Sequence, residues 1–137
     1  MNTRTSANEN VVGQMIAVFP NPPSIDLART LDLAGYRWKA VSSADDAAKS
    51  EPVEGWAGAV VMCDEDPEGG WAICRSLRKN DNPVGHVLVL VSGAQLADLE
   101  MRDDLFDDFC LSPFHPRELE SRLRHMFFTE IRGTRES

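Results

Sequence analysis

The sequence predicts an α/β fold: a doubly wound, five-stranded parallel sheet in the order 2-1-3-4-5. Three observations carry that expectation. Strand-like and helix-like segments alternate five times along the chain. The strand-like segments are short continuous apolar runs, so both faces of each strand should be buried. Right-handed crossovers between parallel strands then place helices on both sides of the sheet. In such a sheet ligands gather at the carboxyl ends of the strands.

Met15-Ile16-Ala17-Val18-Phe19 is the first apolar run, and Pro20-Asn21-Pro22-Pro23 ends it. Ser24 is placed to cap the first helix, with Asp26 in its first turn. Leu27, Leu31 and Ala34 share a helical face, and Gly35 stops the helix. Tyr36 to Val41 forms the second strand. Ser42 to Lys49 forms a short second helix, and Pro52 and Gly55 bracket the loop after it.

Ala57 to Cys63 is the third strand. An acidic loop follows, Asp64-Glu65-Asp66-Pro67-Glu68-Gly69-Gly70. Trp71, Cys74, Leu77 and Arg78 then fall at helical spacing, until Asn80-Asp81-Asn82-Pro83 breaks the helix. His86 to Val91 is the strongest strand in the chain. Ala94 to Met101 is a weak, acidic helix, and Phe106 to Leu111 is the last strand. Pro116 fixes the start of the final helix, which should bury Leu119, Leu123, Met126 and Phe127.

The chain has 137 residues, enough for one domain with a modest core. We expect a loose arm over 1–13, the folded domain over 14–130, and a tail or linker start over 131–137. The net charge of -8 argues against direct nucleic-acid contact by this chain, because phosphate binding needs clustered cations. Cys63, Cys74 and Cys110 lie far apart with no ligand spacing, and read as free thiols in a reducing cytoplasm. His86, His115 and His125 share no ligand spacing either, so no metal and no cofactor is expected. No apolar run has the length of a membrane span.

The chemistry-bearing positions lie at the strand ends. Asp107-Asp108-Phe109-Cys110-Leu111-Ser112-Pro113-Phe114-His115-Pro116-Arg117-Glu118-Leu119 resembles the last strand and last helix of a response-regulator receiver domain. Leu27 to Tyr36 resembles the first helix of that family and its Gly-Tyr exit. Gly70 to Arg78 resembles its third helix. The resemblance covers about Met15 to Phe128, and the Pro-Arg-Glu-Leu helix start is most similar to the OmpR/PhoB class. It implies the flavodoxin-like receiver fold.

Receiver chemistry, as the resemblance implies it, forms an acyl phosphate on an aspartate at the end of the third strand. A carboxylate pair after the first strand holds magnesium, and a hydroxyl and a lysine after the last two strands bind the phosphoryl oxygens. Here Pro20 and Asn21 stand at the acidic pair, and Ser112 stands at the lysine. Ser92 keeps the hydroxyl. The nucleophile position falls on Cys63, or on Asp64 with a shift of one residue, which would reverse the side-chain direction. An acidic loop in solvent is the simpler reading of Asp64, Glu65 and Asp66 than a rebuilt magnesium site, because no lysine supplies the cation.

The resemblance therefore implies a pseudo-receiver: a non-catalytic module working by protein contact, attached to an output domain or meeting a partner protein. In the OmpR/PhoB class the fourth helix, fifth strand and fifth helix make a charged homodimer face, and Asp107, Asp108, Arg117, Glu118 and Arg122 fall at similar places. Phe109 stands at the family's switch aromatic. Ser112-Pro113 resembles a step that is often cis in the family. The short Ser92-to-Ser112 stretch is similar to the GlnR-like orphan nitrogen regulators. The alternative is an active receiver taking phosphate on Asp64 from a histidine kinase. A flavodoxin-like enzyme is disfavoured, since the Pro-rich loop after the first strand has few backbone donors for a phosphate.

Overall fold

The computed structural model describes residues 14–136, with side chains as far as Phe127. The segment expected as an arm, 1–13, lies outside the described residues. The segment expected as a tail enters only as backbone of the last helix.

Five strands form one parallel sheet in the order β2-β1-β3-β4-β5. They are β1 (Met15–Phe19), β2 (Arg37–Ala40), β3 (Gly58–Met62), β4 (Val87–Val91) and β5 (Asp108–Leu111). The helices are α1 (Ile25–Leu33), α2 (Ala44–Ser50), α3 (Pro67–Lys79) and α4 (Pro116–Glu136). Every residue of β4 is buried, as expected of the strongest apolar run in the chain.

Two apolar layers flank the sheet. Ala59, Val61 and Cys63 pack with Ala47 of α2 and with Trp71, Ile73, Cys74 and Leu77 of α3. Val60, Leu88 and Leu90 pack on the other side with Leu27 and Leu31 of α1 and Leu119, Leu123 and Phe127 of α4. The alternation of neighbours along β3 sends odd and even residues to opposite layers.

Local chemistry sets the element ends. The Ser24 hydroxyl accepts from the Leu27 N–H at 3.1 Å, which caps α1. Gly35, at φ 87°, closes that helix, and the Tyr36 N–H reaches the Leu31 carbonyl at 3.1 Å. This is the left-handed helix exit that glycine permits. Asp66 caps α3 by accepting from the Gly69 N–H at 3.1 Å. Arg78 donates to the Val84 carbonyl at 2.8 Å and to Asp107 at 3.0 Å, tying the end of α3 to the entries of β4 and β5.

One element differs in kind from the sequence expectation. Residues Gly93–Arg102 form a 3-10 helix, not an α-helix. Its single buried residue is Leu99. A segment with so little to bury gains little from α-helical regularity, because packing supplies most helical stability in proteins. The edge strand β2 is shorter than expected, and its exposed residues are Arg37 and Lys39, charges that discourage edge pairing.

The Tyr36 hydroxyl is pushed up to about 12, chiefly by burial against the Phe127 layer. Below the ordinary value of about 10 both folded and unfolded chains hold the proton, so the contribution to stability is full there. It is lost as pH rises from about 10 to 12. Tyr36 is the only tyrosine in the chain, so phenolate absorbance should titrate near 12 in the native protein and near 10 in urea. A native midpoint near 10 would contradict the burial.

Candidate functional site

The carboxyl edge of the sheet gathers the residues that the sequence singles out. A cleft of about 420 Å³ opens there, walled by Pro20, Pro22, Pro23 and Ser24 after β1 and by Met62, Asp64, Glu65 and Asp66 after β3. The Phe19–Pro20, Asn21–Pro22 and Ser112–Pro113 peptides are all cis.

Cys63 and Asp64 face opposite ways. Cys63 is fully buried, and its Sγ lies so close to Gly70 that a Cβ on that glycine would come within 2.6 Å. A hydrogen bond with Cys74 and burial together push the Cys63 thiol far above its ordinary value. Such a thiol is not a nucleophile. Cys63 therefore does not line the cleft; the strand alternation turns it under α3.

Asp64 lines the cleft. Its Oδ2 accepts from the Ser112 hydroxyl at 2.9 Å, joining the ends of β3 and β5. Its Oδ1 is buried without a hydrogen-bond partner. The structure thus brings Asp64 and Ser112 together, 48 residues apart in sequence. Asn21 is exposed and does not wall the cleft.

Ser92 is held by a residue that the sequence reading missed. The Ser92 N–H donates to Gln95 Oε1 at 2.8 Å, and Gln95 Nε2 donates to the Cys63 carbonyl at 3.0 Å. Gln95 thereby bridges the ends of β3 and β4. The Ser-x-x-Gln spacing of a capping box was the available signal.

The charged residues near β5 are mostly engaged within the chain. Asp107 accepts from the Val87 N–H at 2.8 Å and from Arg78. Arg122 binds Asp108 at 3.0 Å and Glu118 at 3.2 Å, and its guanidinium lies 5.8 Å from the centre of the Phe109 ring. Arg117 is exposed on the first turn of α4. Phe109 is half-buried, packed against the α3 side of the core.

No protein-family model matches the chain. Among solved structures it is similar to the receiver domain of sensor histidine kinase PA1611 from Pseudomonas aeruginosa PAO1, which was crystallised with magnesium in its active-site cleft. That likeness has TM-score 0.66 and 21% identity, over 82% of this chain and 96% of that one. A signal receiver domain of a histidine kinase from Syntrophus aciditrophicus gives TM-score 0.67 and 20% identity, over 85% and 91%. The chain has the receiver fold. The response regulator DrrB of Thermotoga maritima, an OmpR/PhoB homologue, gives TM-score 0.67 and 21% identity, and the match spans 85% of this chain and 54% of DrrB.

The receiver fold raises the question of magnesium at this edge. Magnesium demands oxygen ligands in near-octahedral geometry and is usually held through one or two carboxylates. Here the Pro20 side chain has no oxygen, Asn21 is turned outward, and Asp66 caps α3. Asp64 is the one carboxylate at the edge with a buried oxygen left over. Among the described residues no group of three candidate ligands converges. The residues present do not fit the ion.

Removing the Ser112 hydroxyl strands the second oxygen of a half-buried carboxylate. Ser112→Ala should cost about 1–3 kcal/mol in urea unfolding, the penalty for an orphaned polar partner. Ser112→Thr, which keeps the hydroxyl, should cost less. Equal losses in the two variants would mean that the Asp64 bond contributes nothing.

Proposed function

We propose that this chain is a pseudo-receiver: a non-catalytic module of two-component signalling that acts by protein contact and independently of phosphorylation. The observation that carries the reading is the Asp64–Ser112 hydrogen bond. Phosphoryl transfer to a carboxylate is catalysed by positioning and by preorganised positive charge around the transferring group. Ser112 is neutral, and its hydroxyl is already engaged on the carboxylate that would have to attack. The charge that the reaction requires is supplied neither there nor at Pro20 and Asn21.

In this reading the module is the cytoplasmic regulatory domain of a transcriptional response regulator, and the OmpR/PhoB resemblance favours a DNA-binding output domain. The similarity to DrrB over about half of that protein's length supports the attachment. The short stretch from Ser92 to Ser112 keeps the GlnR-like resemblance within that class. Acetyl phosphate or beryllofluoride with magnesium tests the reading. The expected outcome is an unchanged intact mass and unchanged amide shifts at Asp64 and Ser112. A mass gain on Asp64 would establish the active receiver instead, which the unpartnered Asp64 Oδ1 favours.

The module also homodimerises, in this proposal, through the face of β5 and α4. Opposite charges on one face can pair across a twofold axis. Asp108 and Glu118 are already tied to Arg122, which leaves exposed Arg117 as the basic residue best placed to cross the axis. Light scattering should give a dimer for the wild type and a monomer for Arg117→Glu. A wild-type monomer removes the dimer face.

A further inference from the structure

On the opposite side of the sheet from α4, the structure holds a basic trough between α3 and the 3-10 helix. Two clefts of about 470 and 410 Å³ adjoin there, and the residues common to both are Arg75 and Arg102. The Arg102 guanidinium is stacked over Trp71, 5.0 Å from the ring centre. Trp71 in turn packs against Phe106, with ring centroids 6.2 Å apart. The half-buried Arg102 cation is thus held by an aromatic support, with little side-chain freedom left to lose on binding.

Arg75 and Lys79 stand one helical turn apart on α3, both exposed, and the second cleft contains Lys79 as well. Met101, 86% exposed, adds an apolar wall beside Arg102. One acid lines each cleft, Glu68 the first and Asp104 the second, against Arg75 and Arg102 in both and Lys79 and Arg78 in the second. Arg78 is engaged by Asp107. This concentration of cations contrasts with a chain whose net charge is -8.

We infer that this trough docks an acidic peptide segment of a partner protein, its carboxylates gripped by Arg75 and Arg102 and an apolar side chain laid on Met101. The charge complementarity selects an anion. The two adjoining clefts present cations on both, and an exposed methionine beside them favours a ligand with apolar surface over a bare inorganic anion. Arginine pairs give carboxylates bidentate, oriented contacts. The trough takes in the end of the 3-10 helix, the element that the OmpR/PhoB resemblance also places in a homodimer face, so the test separates peptide docking from self-association.

The test is a titration of the isotopically labelled full chain with a short peptide rich in Asp and Glu around one Leu, followed by amide and tryptophan indole signals. The Trp71 indole and the amides of Arg75, Lys79, Met101 and Arg102 should move. The affinity should fall about tenfold or more in Arg75→Glu and be largely restored in Arg75→Lys. It should also weaken strongly towards about 0.5 M salt, as screening requires. Arg75 is exposed on α3, so its variants retain the fold, which the unchanged remaining signals verify. Three results overturn the inference: no movement of these signals, equal movement with inorganic phosphate or with the Asn/Gln form of the peptide, or movement that tracks self-association of the chain alone.

Discussion

The structure depends on one constraint: a parallel sheet must be covered on both faces. Hydrophobic burial can be met there only by side chains that alternate between two helical layers. In β3, Val60 goes to the α1–α4 layer, while Ala59 and Val61 go to the α2–α3 layer. The same alternation runs past the end of the strand. It takes Cys63 into the α2–α3 layer and leaves Asp64 to face Ser112. The direction of the candidate site's carboxylate is thus set by packing deep in the sheet.

The pairing of Asp64 with Ser112 follows from register as much as from chemistry. Val91 pairs with Leu111 and Met62 with Leu90, so the ends of β3, β4 and β5 are nearly level. The Ser112 N–H reaches the Val91 carbonyl at 2.8 Å, which extends the β5 ladder one residue past the strand and holds its hydroxyl at the edge. A lysine at that place would carry a charge on a flexible stem. A serine can offer only a short neutral bond, and the register supplies an acceptor within its reach.

Much of this was legible in the sequence. The apolar runs, the Ser24 cap, Gly35 and the Pro116 start each have a local physical cause, and each appears in the structure. The hydrophobic spacing of Leu119, Leu123 and Phe127 was enough to orient α4. What was not legible depends on contacts distant in sequence. Whether Cys63 or Asp64 faces the cleft turns on one residue of strand phase, which a wholly apolar run does not reveal. The Ser-x-x-Gln spacing offers Gln95 as a partner for Ser92, but its bond to the Cys63 carbonyl, 32 residues away, is not legible in the sequence. The 3-10 character of Gly93–Arg102 goes with how little it buries, Leu99 alone, which its five apolar residues do not reveal in the sequence.

Gln95 also gives the two sides of the molecule a physical connection. It fastens the start of the 3-10 helix to the end of β3, next to Asp64, and the same helix ends at Arg102 above Trp71. Between these ends Leu99 is the one buried anchor. Contiguity of this kind is not coupling, which requires an element with two arrangements that both sites bias. The 3-10 helix is held by bonds at its ends and buries one residue between them. A rearrangement that broke the Gln95 bridge would release the segment from the sheet edge and move the cation that it carries. That segment thus links the sheet edge beside Asp64 to the cation stacked on Trp71 through one side chain, Gln95.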